Sequence, residues 1–331
     1  MRRRVTLMTL VLMVLATAVH AAGRAEEPVS SEESAPREVR VEVLRGPTGM
    51  GMIRLMDERP VLADGANVEY AVSGAPDNVV SKVLSGEVDI AALPSNVAAK
   101  LYNDGVPYRL AVLNTLGVVY VVSNDPEVET FDDLAGRQIE NSARGANPDV
   151  IFRYLLSEHG IDPEADVELR YHNHTELAQL LIAGRAEVAV LPEPFVTRVV
   201  NASDTARVVL DLQEVWREIK GEEAFIGMGC LVVSDELVEE RPDFVRSFLD
   251  EYRASVEWVN RNPDEAGVLI EENELGFTAE SAAEAIPRAN ITYVEAAQAR
   301  GPLEEYFSVL LDYDEESLGG TLPDEDFYLD F

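Results

Sequence analysis

Residues 82–96 (KVLSGEVDIAALPSN) and 180–194 (LLIAGRAEVAVLPEP) are one phrase written twice. Laid over each other, Gly86 meets Gly184, Ala91 meets Ala189, and Leu93-Pro94 meets Leu191-Pro192. Each copy has an apolar stretch, a glycine, a polar residue or two, and an apolar run stopped by proline. Glycine ends a helix without steric cost because it enters the left-handed region freely. The apolar run suits a strand buried on both faces, and proline, lacking an N–H, stops the ladder. Each copy therefore predicts a helix, a tight turn and a parallel strand whose carboxyl end opens at Pro94 or Pro192. Ligands of open α/β sheets sit beyond such ends. Two copies imply two lobes, each with a binding edge.

Outward from the first copy, residues 38–44 alternate as a strand and run into GPTGMG at 46–51, with a helix expected over 53–56. A glycine-rich turn there lets a ligand approach backbone N–H groups. It is neither G-x-G-x-x-G nor a Walker sequence, which disfavours a nucleotide. A strand at 67–72, a helix through Leu101 and a strand at 108–113 complete β-α-β-α-β, the pattern of a parallel sheet. A second echo follows, since 116–124 and 229–235 share a V-V-S-Asn/Asp ending. These strands bracket roughly a hundred residues, one small domain. The simplest topology inserts one lobe in the other, with both strands crossing as a hinge. The expected layout is a signal peptide at 1–22, a disordered leader at 23–37, lobe 1 at 38–122 and 227–331, and lobe 2 at 123–226. Within lobe 2, Asn147 as N-cap and Pro148 at the first helical position predict a helix start. Beyond Cys230 the chain reads as mostly helical, and its aromatic end, 319–328, is expected to dock on lobe 1.

The first residues indicate a compartment. Arg2, Arg3 and Arg4 precede an apolar run at 5–19 and small residues at 19–21, the plan of a secretory signal. No cysteine follows for a lipobox, so a soluble extracytoplasmic protein is expected. The formal charge is −34, and cleavage after Ala21 or Ala22 leaves about −37. Such a charge argues against nucleic acid and anionic membranes as partners. Lys82, Lys100 and Lys220 are the only lysines. An acidic, lysine-poor surface fits a high-salt habitat, and equally an ordinary acidic protein. Cys230 is the single cysteine, so no intrachain disulfide forms, and its apolar surroundings suggest a buried thiol.

The run MGCLVVSDELVEERPDFVRSFLDEYRASVEWVNRNPDEA from Met228, together with LPEPF at 191–195, DDLAGR at 132–137 and the terminal GGTLPDEDFY, resembles solute-binding proteins of ABC importers. The most similar group takes up aliphatic sulfonates, nitrate and thiamine-precursor pyrimidines, and the resemblance runs from Glu38 to Phe331. It implies an α/β type II periplasmic-binding fold: two lobes, two crossing strands, and a cleft that closes on a solute. It also implies delivery to a membrane permease and its ATPase.

Strand ends should line that cleft. In lobe 1 the candidates are Thr48, Gly49, Ser73, Gly74, Ser95, Asn96, Asn114 and Thr115. In lobe 2 they are Ser142, Arg144, His174 and Glu193. Small hydroxyl residues and free N–H groups at helix starts can hold a sulfonate, phosphate or carboxylate, though each serves equally as an N-cap or turn former. The resemblance places Glu193 in the cleft, where a carboxylate would accept hydrogen bonds from ring N–H groups and repel an anion. The competing role is a structural carboxylate paired with Arg198 or another arginine. Arg144 argues for an acidic solute group, so a zwitterion or a heterocycle with an acidic arm would satisfy both. His172 and His174 lack a third ligand at metal spacing. Trp216, Phe225 and Tyr120 read as core before they read as stacking platforms. No metal, no cofactor and no catalytic residue is expected. The expected function is capture of a small organic solute by lobe closure, as a monomer and without chemistry. The alternatives are an enzyme on the same fold acting on a ring precursor, and an extracellular ligand-sensor subunit.

Overall fold

The computed structural model describes residues 38–142 and 144–331. The expected signal peptide and leader, and Ala143, lie outside the described residues. The chain folds as two α/β lobes with a cleft between them, each built on its own sheet. Among the described residues no helix is long and apolar enough to cross a membrane.

In chain order the strands are β1 (Val39–Leu44), β2 (Val68–Ser73), β3 (Ile90–Pro94), β4 (Tyr108–Thr115), β5 (Val119–Ser123), β6 (Gln138–Ser142), β7 (Glu168–His172), β8 (Val188–Pro192), β9 (Arg207–Asp211), β10 (Gly229–Ser234) and β11 (Ile291–Glu295). The first sheet runs β11-β4-β10-β3-β1-β2 and the second β7-β6-β8-β5-β9. The strand closing each copy of the repeated phrase, β3 or β8, lies between a parallel neighbour and an antiparallel one. The antiparallel neighbours are β10 and β5, the two V-V-S strands. Gly86 and Gly184 adopt φ of +69° and +63°, as the tight turn demands.

The echo strands do not themselves span the lobes. β5 is bonded to β8 and β9 in the second sheet, so the expected boundary at 122/123 cuts through a lobe 2 strand. The passages are the lead-ins, residues 116–118 before β5 and 221–228 before β10. A second difference concerns GPTGMG. It is no loop but the first turn of the helix Pro47–Glu58, which starts as soon as β1 ends. A Cβ on Gly49 would meet the Leu44 carbonyl oxygen at 2.6 Å, and one on Gly51 would meet Ile291 at 2.9 Å. These glycines let the helix press against its neighbours. Asn147, expected as an N-cap, lies inside its helix (Asn147–Glu158), and Ala146 holds the cap position with no side-chain bond.

Behind the first sheet, Met50, Met52 and Ile53 are buried in one apolar cluster with Phe244, Phe248 and Tyr252 of the helix Pro242–Arg261. A second cluster runs from one lobe to the other. Trp216, fully buried, is edge-on to Tyr306 at 6.3 Å and tilted against Tyr154 at 5.4 Å. The chain end docks as expected: Phe327 is buried and the Leu329 amide donates to the Leu110 carbonyl at 2.8 Å. Cys230 is fully buried in β10, and burial pushes its thiol pKa up. The close approach at Gly49 gives a direct test. Gly49→Ala should cost about 1–3 kcal/mol, the usual penalty for overpacking, read as a lowered urea midpoint; an unchanged midpoint would contradict the packing.

Candidate functional site in the interlobe cleft

Helices begin where the parallel strands end, so both lobes turn strand ends and helix starts toward the cleft. Its volume is about 650 Å³, within the roughly 300–1,000 Å³ typical of small-molecule sites. Lobe 1 supplies Arg45, Gly46 and Pro47 after β1, Gly74 after β2, and Gly276 and Phe277. Lobe 2 supplies His174, Pro192 at the end of β8 and, after it, Glu193, Phe195, Thr197 and Arg198.

Of the residues expected to line the site, the cleft brings together Gly74, His174 and Glu193. The others are not among the residues that line this volume. The hydroxyls of Thr48 and Ser73 donate to the Leu44 carbonyl at 3.2 Å and to Glu42 at 2.5 Å, and that of Ser95 donates to the Gly227 carbonyl. Gly49 is buried against Leu44. Asn96 accepts from Asn147 across the lobes at 2.9 Å. Asn114, Thr115 and Ser142 are buried at strand ends. Arg144 is exposed, its guanidinium over Tyr171 at 5.6 Å. Ser73, Asn114, Thr115 and Ser142 are still inside a sheet, where side chains stand off its faces, and the cleft is lined by residues just past β1, β2 and β8.

Trp216 and Phe225 belong to the core, and Tyr120 is buried with its hydroxyl donating to the Arg288 carbonyl at 2.6 Å. His172 Nε2 pairs with the Glu140 carboxylate at 2.7 Å, whereas the His174 ring packs on Phe195 at 5.1 Å. Among the described residues no group of three His, Cys, Asp or Glu is placed to hold a metal ion.

Glu193 has the structural partner that the sequence left open, and it is not Arg198. Arg288, from the turn before β11 in lobe 1, donates to Oε1 at 2.6 Å. The Thr197 hydroxyl donates to the same oxygen at 2.9 Å, and the Thr197 amide to Oε2 at 3.1 Å. The carboxylate is 1% exposed, and three donors satisfy it. Arg198 and Arg45 are exposed on opposite walls, and neither side chain has an ion-pair or hydrogen-bond partner among the described residues. Sequence reasoning passed over Arg45, although it directly follows β1. Nothing near Glu193 in the chain pointed to Arg288, ninety-five residues away.

The geometry thus defines a two-lobed fold of the type II periplasmic-binding class, with a cleft between the lobes. Residues 47–271 match the NMT1-like family, and the chain belongs to it. An ABC transporter structure from Parabacteroides distasonis is 28% identical, with a TM-score of 0.75 over 88% of this chain and 98% of that one. The periplasmic aliphatic sulphonate binding protein SsuA from Escherichia coli shares the fold at 14% identity and a TM-score of 0.67, covering 89% of this chain and 92% of its own. YtlA of Bacillus subtilis is 27% identical over 136 residues, 40% of this chain and 41% of that protein's length. Homologues of this chain are accordingly substrate-binding proteins of ABC transporters.

His174 offers a titration test. Burial lowers its pKa below the ordinary 6.5, and Nε2 is buried without a partner among the described residues. The unfolded chain therefore takes up a proton near pH 6.5 that the folded ring refuses until lower pH. The resulting stability is complete above about pH 6.5 and is lost as pH falls toward the lowered value. Urea midpoints should decline less steeply below about pH 6.5 in His174→Gln than in the parent; parallel profiles would refute the assignment.

Proposed function

We propose that this chain is the extracytoplasmic solute-binding component of an ABC importer. It captures a small organic anion by lobe closure and delivers it to a membrane permease and its ATPase. The observation that carries the reading is a local inversion of charge. The chain as a whole is −34, yet its cleft presents two arginines, Arg45 and Arg198, unpaired among the described residues, and one carboxylate that Arg288 already balances. An anion therefore finds donors here and is repelled by most of the remaining surface. Phe195, Phe277, Pro47 and Pro192 supply apolar walls for a hydrocarbon or ring body. With Glu193 occupied, the solute needs no cationic group of its own. The sulphonate named for SsuA is likewise an anion.

Binding without chemistry is the better account of the titratable groups. Glu193 is saturated with donors, and His174 is held neutral away from any proton partner. Micromolar affinity requires about 8 kcal/mol. Two charge-assisted hydrogen bonds of about 1.5–3 kcal/mol each and one buried apolar face of about 2–3 kcal/mol are of that order. A thermal-shift screen of alkanesulfonates, aromatic carboxylates, pyrimidines and organic cations tests the reading. Anions with an apolar body should raise the melting temperature, and Arg45→Gln or Arg198→Gln should weaken their binding at least tenfold. Stabilisation by neutral or cationic compounds alone would overturn it.

A further inference from the structure

We infer that Arg288 is a specificity-determining residue that acts through Glu193: it cancels a carboxylate in the cleft wall and so fixes the sign of charge that the cleft accepts. The inference rests on the reading of the cleft as an anion site, and it explains how such a site tolerates a buried acid.

The cleft is lined by Glu193 and Thr197 but not by Arg288. Arg288 therefore reaches a solute only through the group that it neutralises. Its Nε donates to Glu193 at 2.6 Å and its Nη2 to the Thr197 hydroxyl at 2.5 Å. The Thr197 hydroxyl in turn donates to Glu193, so acid, hydroxyl and guanidinium form one closed set. The backbone of Arg288 is held as well, because its carbonyl accepts from Tyr120 of lobe 2 at 2.6 Å. Beside it, Asn201 of lobe 2 donates to Glu284 of lobe 1. The guanidinium is thus placed by contacts from the opposite lobe. The two partners also differ in depth, with Arg288 34% and Glu193 1% exposed.

A charge this deeply buried is tolerated only with a partner. While Arg288 is present, Arg45 and Arg198 dominate the cleft and Glu193 repels nothing. Without Arg288, the same carboxylate faces the solute uncompensated, and the site then favours a ligand that brings its own cation. A structural clamp alone would tie the lobes together without regard to the solute's charge.

The test uses the full-length chain and two probes that differ by one ammonium group, propane-1-sulfonate and 3-aminopropane-1-sulfonate, titrated by calorimetry. The parent should prefer propane-1-sulfonate. Arg288→Gln should shift the affinity ratio at least tenfold toward 3-aminopropane-1-sulfonate and lower the melting temperature. Adding Glu193→Gln to that variant should return the ratio to the parental side and recover most of the lost melting temperature. An unchanged ratio in Arg288→Gln, with both probes weakened equally, would reduce Arg288 to a clamp and overturn the inference. So would a double variant no more stable than Arg288→Gln. If the parent binds neither probe, the anion reading of the cleft fails, and the melting temperatures of the single and double variants still decide whether Arg288 exists to neutralise Glu193.

Discussion

A strand that arrives from a neighbouring lobe can enter a sheet only from the side on which the lobes meet. In this molecule that side is where the parallel strands end, so the arriving strand must run against them. β5 and β10 obey this rule, each antiparallel to both of its neighbours; the edge strand β11 likewise runs against β4. Much of the architecture depends on the arrangement. It turns the strand ends and helix starts of both lobes toward one another, and it leaves the cleft walls to the residues just past the sheets. It also makes the passages short, only three residues lying between β4 and β5. Gln213 braces both passages, accepting from the Gly117 amide at 3.2 Å and the Ile226 amide at 2.9 Å.

The cleft combines two kinds of electrostatics. At its surface, Arg45 and Arg198 are exposed and screened by solvent and salt, which under the proposed function suits attracting and releasing a solute. In its wall, Glu193 and Arg288 are linked through short bonds in a dry setting, where charges act more strongly. The first pair is free to respond to what enters, and the second is fixed. A site made only of exposed arginines would discriminate poorly among anions. A wall with a fixed, cancelled charge adds shape and hydrogen-bonding character without adding a sign.

The fold was readable because repetition and periodicity are local signals. Gly86 and Gly184, the proline-stopped apolar runs and the V-V-S endings each report a backbone event at the place where they occur. The same reading misjudged 46–51, because glycine spaced for close packing inside a helix looks like glycine in a turn. It placed Asn147 as a cap, whereas that side chain crosses to Asn96 in the other lobe. The site was less legible for a related reason. Strand ends were identified correctly, but Ser73, Asn114, Thr115 and Ser142 still belong to the sheets, and the cleft begins at Arg45, Gly74 and Glu193. The partner of Glu193 was out of reach because ion pairing is decided by tertiary approach, and Arg288 comes from a turn far along the chain.

The solitary thiol of Cys230 has a practical consequence. Sealed between strands and resistant to ionisation, it is out of reach of thiol-reactive dyes while the chain stays folded. Cysteines introduced on the rims of the two lobes would therefore be the only two points of attachment, with no native residue to delete first. The molecule is by construction a ready chassis for an optical reporter whose emission follows the distance between its two halves.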